Sequence, residues 1–135
     1  MAFEIPKTAY SGKVKEVKLG GGDKAVLVGG ETSYPFYLFE GKMPNPPRIA
    51  MEVWDMPPEE WAKAALEPFA GVTGDPVAWA KKCINDYGAE MIALQLVSTD
   101  PNGLNRGVDE ATAVVKKVAD AINVPLIVWG TGNVD

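Results

Sequence analysis

The sequence predicts an α/β fold in which parallel strands alternate with helices. Three mostly apolar runs, Ile49 to Trp54, Met91 to Val97 and Leu126 to Trp129, are bounded by proline, glycine and polar turn residues. Such runs are the mark of strands in a parallel sheet. Between them lie two stretches with helical spacing, near 76–87 and 107–122. Like strands joined through helices imply parallel pairing with right-handed crossovers.

A β-hairpin over residues 13–30 opens the chain. Val14, Val17 and Leu19 form one arm and Ala25 to Val28 the other, with Gly20-Gly21-Gly22-Asp23 as the turn. The triple glycine is not a phosphate loop, because no helix start follows it and no Gly-Lys-Ser/Thr ending is present. A hairpin placed directly before the first strand of the sheet is expected to cover the amino-terminal end of the strands. Residues 31–47 form an aromatic, proline-broken connection, Tyr34-Pro35-Phe36-Tyr37-Leu38-Phe39, of the kind that packs as a plug.

The first strand follows the double proline Pro46-Pro47 and is read as buried on both faces, with Glu52 as its one charge. A buried carboxylate needs a partner, and Arg48 is the nearest cation in sequence. Pro57-Pro58 then starts a helical turn or two around Trp61. The next helix is better marked. Asp75 is its N-cap and Pro76 its first residue, Val77, Ala80, Ile84 and Tyr87 share a face, and Gly88 ends it. Cys83 lies near that face as a small hydrophobe. Trp61 and Trp79 fit helix–sheet packing, with outward packing on a partner as the alternative. In the last helix Val108, Ala111, Val115, Val118 and Ile122 step by three and four, and Glu110 early with Lys116-Lys117 late suits the helix dipole. Val124-Pro125 stops it.

A chain of 135 residues makes one domain, here 1–135, with 1–47 as hairpin and connection and 48–135 as the strand–helix units. The net charge of -5 argues against nucleic acid, whose phosphates call for a basic surface. No run approaches the roughly 18 apolar residues of a membrane span, and the amino terminus does not read as a signal peptide. A single cysteine allows no internal disulfide, and a cytoplasmic home is the simplest expectation. There is no histidine, so the commonest general base and metal ligand are both missing. One thiol cannot hold an iron–sulfur cluster, which usually takes four.

Three strand–helix units are less than half of a (β/α)8 barrel, which takes about 250 residues. The last apolar strand would then be an uncovered edge. The expected fold is therefore a partial TIM (β/α)8 barrel, an amino-terminal hairpin plus about three parallel strands with helices. A small three-stranded α/β domain is the alternative. Barrels and open α/β sheets bind ligands beyond the carboxyl ends of their strands. That rule selects Asp55, Ser98, Thr99, Asp100, Thr131 and Asn133 as cofactor-binding candidates. Against it, Asp55 has the alternative of capping the helix after Pro57, and Asp100 of capping the turn at Pro101.

A series of segments carries a family resemblance: Phe39-Glu40-Gly41, Pro44-Asn45-Pro46-Pro47, Ile49 to Asp55, Asp75 to Lys82, Tyr87-Gly88-Ala89-Glu90, Ser98-Thr99-Asp100-Pro101, and Val124 to Val128 leading to Gly130-Thr131-Gly132-Asn133. Together, in one register over nearly the whole chain, they resemble the small (delta) subunit of the corrinoid iron–sulfur protein of the acetyl-CoA decarbonylase/synthase system. Members of that family complete a (β/α)8 barrel, and this chain reaches only a third strand.

The resemblance implies a cobalt corrinoid shared with a large subunit, which itself supplies the iron–sulfur cluster, so that no cluster sits on this chain. It implies a methyl group received from a methyl-tetrahydropterin through a methyltransferase and passed to acetyl-CoA synthase. It implies an accessory subunit that is not catalytic alone. Two other readings stand beside it. One is a barrel methyltransferase that binds a pterin through Asp55 and Asp100. The other is an inactive barrel fragment that associates through its open edge.

Overall fold

The computed structural model describes residues 3–4, 11–34 and 41–132. The expected aromatic plug falls mainly on 35–40, outside them. An antiparallel hairpin, β1 (Val17–Leu19) and β2 (Val26–Val28), pairs Val17 with Val28 and Leu19 with Val26. A three-stranded parallel sheet follows, in the order β3 (Ala50–Trp54), β4 (Met91–Gln95), β5 (Leu126–Trp129). Helix α1 (Lys63–Leu66) and helix α2 (Pro76–Tyr87) lie between β3 and β4, and helix α3 (Val108–Ala121) lies between β4 and β5. The sheet is open, with β3 and β5 as its edges and no barrel closure among the described residues.

Local chemistry sets the helix ends. The Asp75 carboxylate accepts from the N–H groups of Val77 and Ala78, and Pro76 occupies the first turn. Gly88 leaves α2 at φ 66°, the left-handed conformation that favours glycine. The helix around Trp61 begins later than the double proline implies: α1 starts at Lys63 and continues into a single 3-10 turn, Glu67–Phe69. On α3, Ala111 and Val118 are buried as the spacing requires, whereas Val108 is exposed at the first turn.

Strand alternation and the parallel register place Met51, Val53, Ile92, Leu94, Leu126 and Val128 on one face. Val53, Ile92 and Leu94 there join Trp79, Ala80 and Cys83 of α2 and Val118 of α3 in the core. The other face carries Glu52, Trp54, Gln95, Ile127 and Trp129. Glu52 is exposed and accepts a hydrogen bond from Trp54 Nε1, so the expectation of a strand buried on both faces is corrected. Arg48 does not pair with Glu52. Its Nη1 donates to both Glu90 carboxylate oxygens at 2.6 and 2.7 Å, beside the start of β4. The error came from reading an apolar run as two buried faces when the helices supply only one.

Four aromatic rings extend the core from α2. Trp61 stands edge-on to Trp54 (5.1 Å between centroids) and to Trp79 (5.8 Å), and Phe69 touches Trp79 (5.6 Å). Both Trp61 and Trp79 therefore pack inward, and Trp79 is fully buried.

The hairpin lies at the amino-terminal end of the strands, as expected. A Cβ on Gly20 would stand 2.7 Å from the ring of Pro125, which immediately precedes β5. Between hairpin and sheet lies a cleft of about 600 Å³, bordered by Val26, Arg48, Glu90 and Val124.

Cys83 is free and fully buried, and burial pushes its thiol up from 9.0 to about 11. The unfolded chain therefore loses this proton first as pH rises. The contribution to stability is constant below about pH 9 and falls between pH 9 and 11, by about 2–3 kcal/mol in full. Cys83→Ala is expected to flatten that part of a urea-denaturation profile measured against pH. An equally steep alkaline loss in the variant would refute this.

Candidate functional site

The carboxyl ends of the three strands converge on one cluster. Asp55 follows β3 directly, and its N–H donates to the carbonyl of Gln95 at 3.1 Å, which holds the residue against β4. Its side chain then reaches the 3-10 turn Val97–Thr99 beyond β4. The Ser98 N–H donates to Oδ1 at 3.0 Å and the Ser98 hydroxyl donates to Oδ2. Asp55 is 7% exposed and Ser98 1%. A carboxylate so enclosed is stabilised only by such donors, and two from one residue fix the turn relative to β3.

The same turn reaches β5. Leu96 N–H donates to the carbonyl of Trp129 at 3.0 Å. The Thr99 hydroxyl donates to the carbonyl of Leu96 at 2.8 Å, and its oxygen lies 3.1 Å from the Thr131 hydroxyl. Asp55, Ser98, Thr99 and Thr131 are thus brought together, linking the exits of all three strands.

Asp100 is not part of this cluster. Its carboxylate accepts from the N–H of Asn102 at 2.8 Å, closing its own turn, and its carbonyl accepts from Gly103 and Asn105. Turn capping is its role, whereas Asp55 does not cap the helix after Pro57. Asn133 lies outside the described residues. Asp100→Ala is expected to lower stability by about 1 kcal/mol, the usual cost of a lost Asp cap, and to leave the Asp55 cluster intact. A thermal melt together with the Ser98 amide resonance checks both halves.

Two groups at this end, Trp129 and Gln95, escaped the sequence reading. Trp129 is 52% exposed and pairs in register with Gln95, which in turn pairs with Trp54. Alternation starts all three on the side of the sheet opposite Val53 and Leu94, in the layer nearest the cluster, and Trp54 turns from there onto Trp61. The register that shows this is not visible in any one strand. Among the described residues no three acidic, cysteine or histidine side chains come close enough to hold a metal ion, and no helix is long and apolar enough to cross a membrane.

Comparison with known proteins gives one answer. The family model of the CO dehydrogenase/acetyl-CoA synthase delta subunit matches residues 16–135. The chain is 36% identical over 132 residues to the acetyl-CoA decarbonylase/synthase complex subunit delta of Methanothermobacter thermautotrophicus, covering 97% of this chain and 33% of that protein. It is 40% identical over 138 residues to the subunit of the same name from Archaeoglobus fulgidus, covering 97% and 30%. It is 34% identical over 137 residues to that from Methanocaldococcus jannaschii, covering 97% and 33%. The chain therefore spans about a third of the length of these curated relatives.

Proposed function

Since the chain belongs to the family of the CO dehydrogenase/acetyl-CoA synthase delta subunit, we propose that it forms the opening strands of a (β/α)8 barrel in a corrinoid methyl-carrier subunit. In this role it is an accessory component without turnover of its own. Its partners are a large corrinoid and iron–sulfur subunit, a methyltransferase that draws on a methyl-tetrahydropterin, and acetyl-CoA synthase. The observation that carries the reading is the family match over residues 16–135, which includes every strand of the parallel sheet. The open sheet supports the barrel, since Ile127 and Trp129 on the face away from the helices are exposed.

The residues fit the rim of a corrinoid and not its metal. Histidine is absent and Cys83 is sealed in the core, so an imidazole or thiolate for the cobalt would have to come from a partner. A corrin ring carries carboxamide arms, and the Thr99–Thr131 hydroxyl pair and Trp129 are suited to meet them. A corrinoid held there would supply the methyl-carrying chemistry. In this reading Asp55 and Ser98 hold the β4 exit in place, Thr131 would meet the rim, and Trp129 would shield it from water.

A pterin-binding barrel needs two free strand-end acids. Asp55 is engaged by Ser98 and Asp100 by its own turn, which favours the carrier role.

Affinity purification of a tagged chain from its native source tests the proposal. It should bring down a larger subunit and cobalt, with corrinoid absorbance in the visible. The chain alone should be colourless. Recovery without cobalt or the larger subunit sinks the reading, and stoichiometric cobalt on the isolated chain sinks the shared-cofactor arrangement.

A further inference from the structure

Of the asparagines in the chain only Asn102 precedes a glycine. That dipeptide can react with itself. The backbone nitrogen of Gly103, once it has lost its proton, attacks the side-chain carbonyl carbon of Asn102. Ammonia leaves and a cyclic succinimide closes. Water then opens the ring at either carbonyl, giving aspartate or isoaspartate. In sum, an amide and a water become an acid and an ammonia. Glycine favours the attack because no Cβ shields its nitrogen and its dihedrals are free. Both residues are exposed, so water reaches them.

The fold restrains this reaction. Gly103 N–H donates to the Asp100 carbonyl at 2.9 Å, so the proton that has to leave is engaged. Asn102 N–H donates to Asp100 Oδ1 at 2.8 Å, and Asn105 N–H donates to the Asp100 carbonyl at 3.0 Å, which fixes the backbone on both sides of the nitrogen. Arg106 N–H, donating to the Ser98 carbonyl at 2.9 Å, ties the far end of the turn to its start. From this arrangement we propose that Asn102 is a site of spontaneous deamidation gated by the Asp100 turn. The closed turn withholds the Gly103 nitrogen and the open turn releases it. Conversion places a second carboxylate beside Asp100, and the like charges oppose reclosure. The modification is independent of the carrier role, because the turn is held by Asp100 and not by the Asp55 cluster.

Incubation of the 135-residue chain in mildly alkaline buffer, native or unfolded in urea, tests the gate. Peptide mapping by mass spectrometry, with isoaspartate-specific methyl labelling, reads the product at Asn102. Each hydrogen bond that must open is worth about a fivefold factor, so the native chain should convert at least about tenfold more slowly than the unfolded one. Asp100→Ala should speed native conversion about fivefold, the factor for a lost cap, and leave the unfolded rate unchanged. Asp75→Ala removes a comparable cap from α2 and should leave the native rate at Asn102 unchanged. Gly103→Ala should suppress conversion even in urea. A Cβ there would stand 3.6 Å from the Asp100 carbonyl oxygen, an ordinary contact, so the turn survives in that variant. Equal rates in the native and unfolded chains overturn the proposal. So does equal acceleration by Asp75→Ala, which would make global unfolding the gate, and so does an unfolded chain that keeps its Asn102 amide.

Discussion

Trp79→Ala is expected to cost about 3–5 kcal/mol, a large part of the 5–15 kcal/mol that typically holds a domain together. Trp79 is fully buried on α2 and touches Trp61 and Phe69, while its helix packs on β3 and β4. Its removal leaves a void beside the rings of Trp61 and Phe69, which cannot fill it without moving the segment that carries them. Trp79 Nε1 is buried with no hydrogen-bond partner among the described residues. Trp79→Phe removes that unmade bond together with part of the volume, so its loss should be well under half that of the alanine variant. Urea denaturation of both variants gives the answer. Equal losses would mean that the indole N–H is satisfied in solution.

Asp55→Ala is the second large effect, about 3 kcal/mol. Two donors from Ser98 end on this carboxylate, and hydrogen bonds to a charged group contribute about 1.5–3 kcal/mol each. The alanine variant leaves a buried N–H and hydroxyl without acceptors. Asp55→Asn keeps an oxygen for the Ser98 N–H and should recover more than half of the loss. A double-mutant cycle with Ser98→Ala should show a coupling of about 1–3 kcal/mol. Additive losses would mean that the two side chains do not hold each other, and the cluster would lose its central link.

These two residues show how far the sequence could be read. Trp79 fell on a helix whose Asp75-Pro76 start and Gly88 stop are local signals, and the structure has that helix at Pro76–Tyr87. Asp100 was also legible as a turn cap, because its partner is two residues away. Asp55 was placed at a strand end, but its partner Ser98 is 43 residues distant and no local pattern reports it. The Thr99–Thr131 contact spans 32 residues and was hidden for the same reason. Glu52 was misjudged because composition cannot tell a strand covered on one face from a strand covered on both. The barrel expectation drew on the uncovered last strand, with the resemblance in support, whereas the three strands and their order were visible in the chain itself.

The parallel sheet also has an evolutionary consequence. The hairpin packs at one end of the strands, where Gly20 meets Pro125, and the Asp55 cluster closes the other. Strands of four or five residues separate these ends by roughly 13–17 Å at about 3.3 Å per residue. Sites that far apart without shared partners change stability independently, to within about 0.5 kcal/mol. Gly20→Ala and Asp55→Ala should therefore add in the double variant. The sheet acts as an insulator: one end can drift under selection for stability while the other is retuned for a different ligand, and neither change needs a compensating one across the strands.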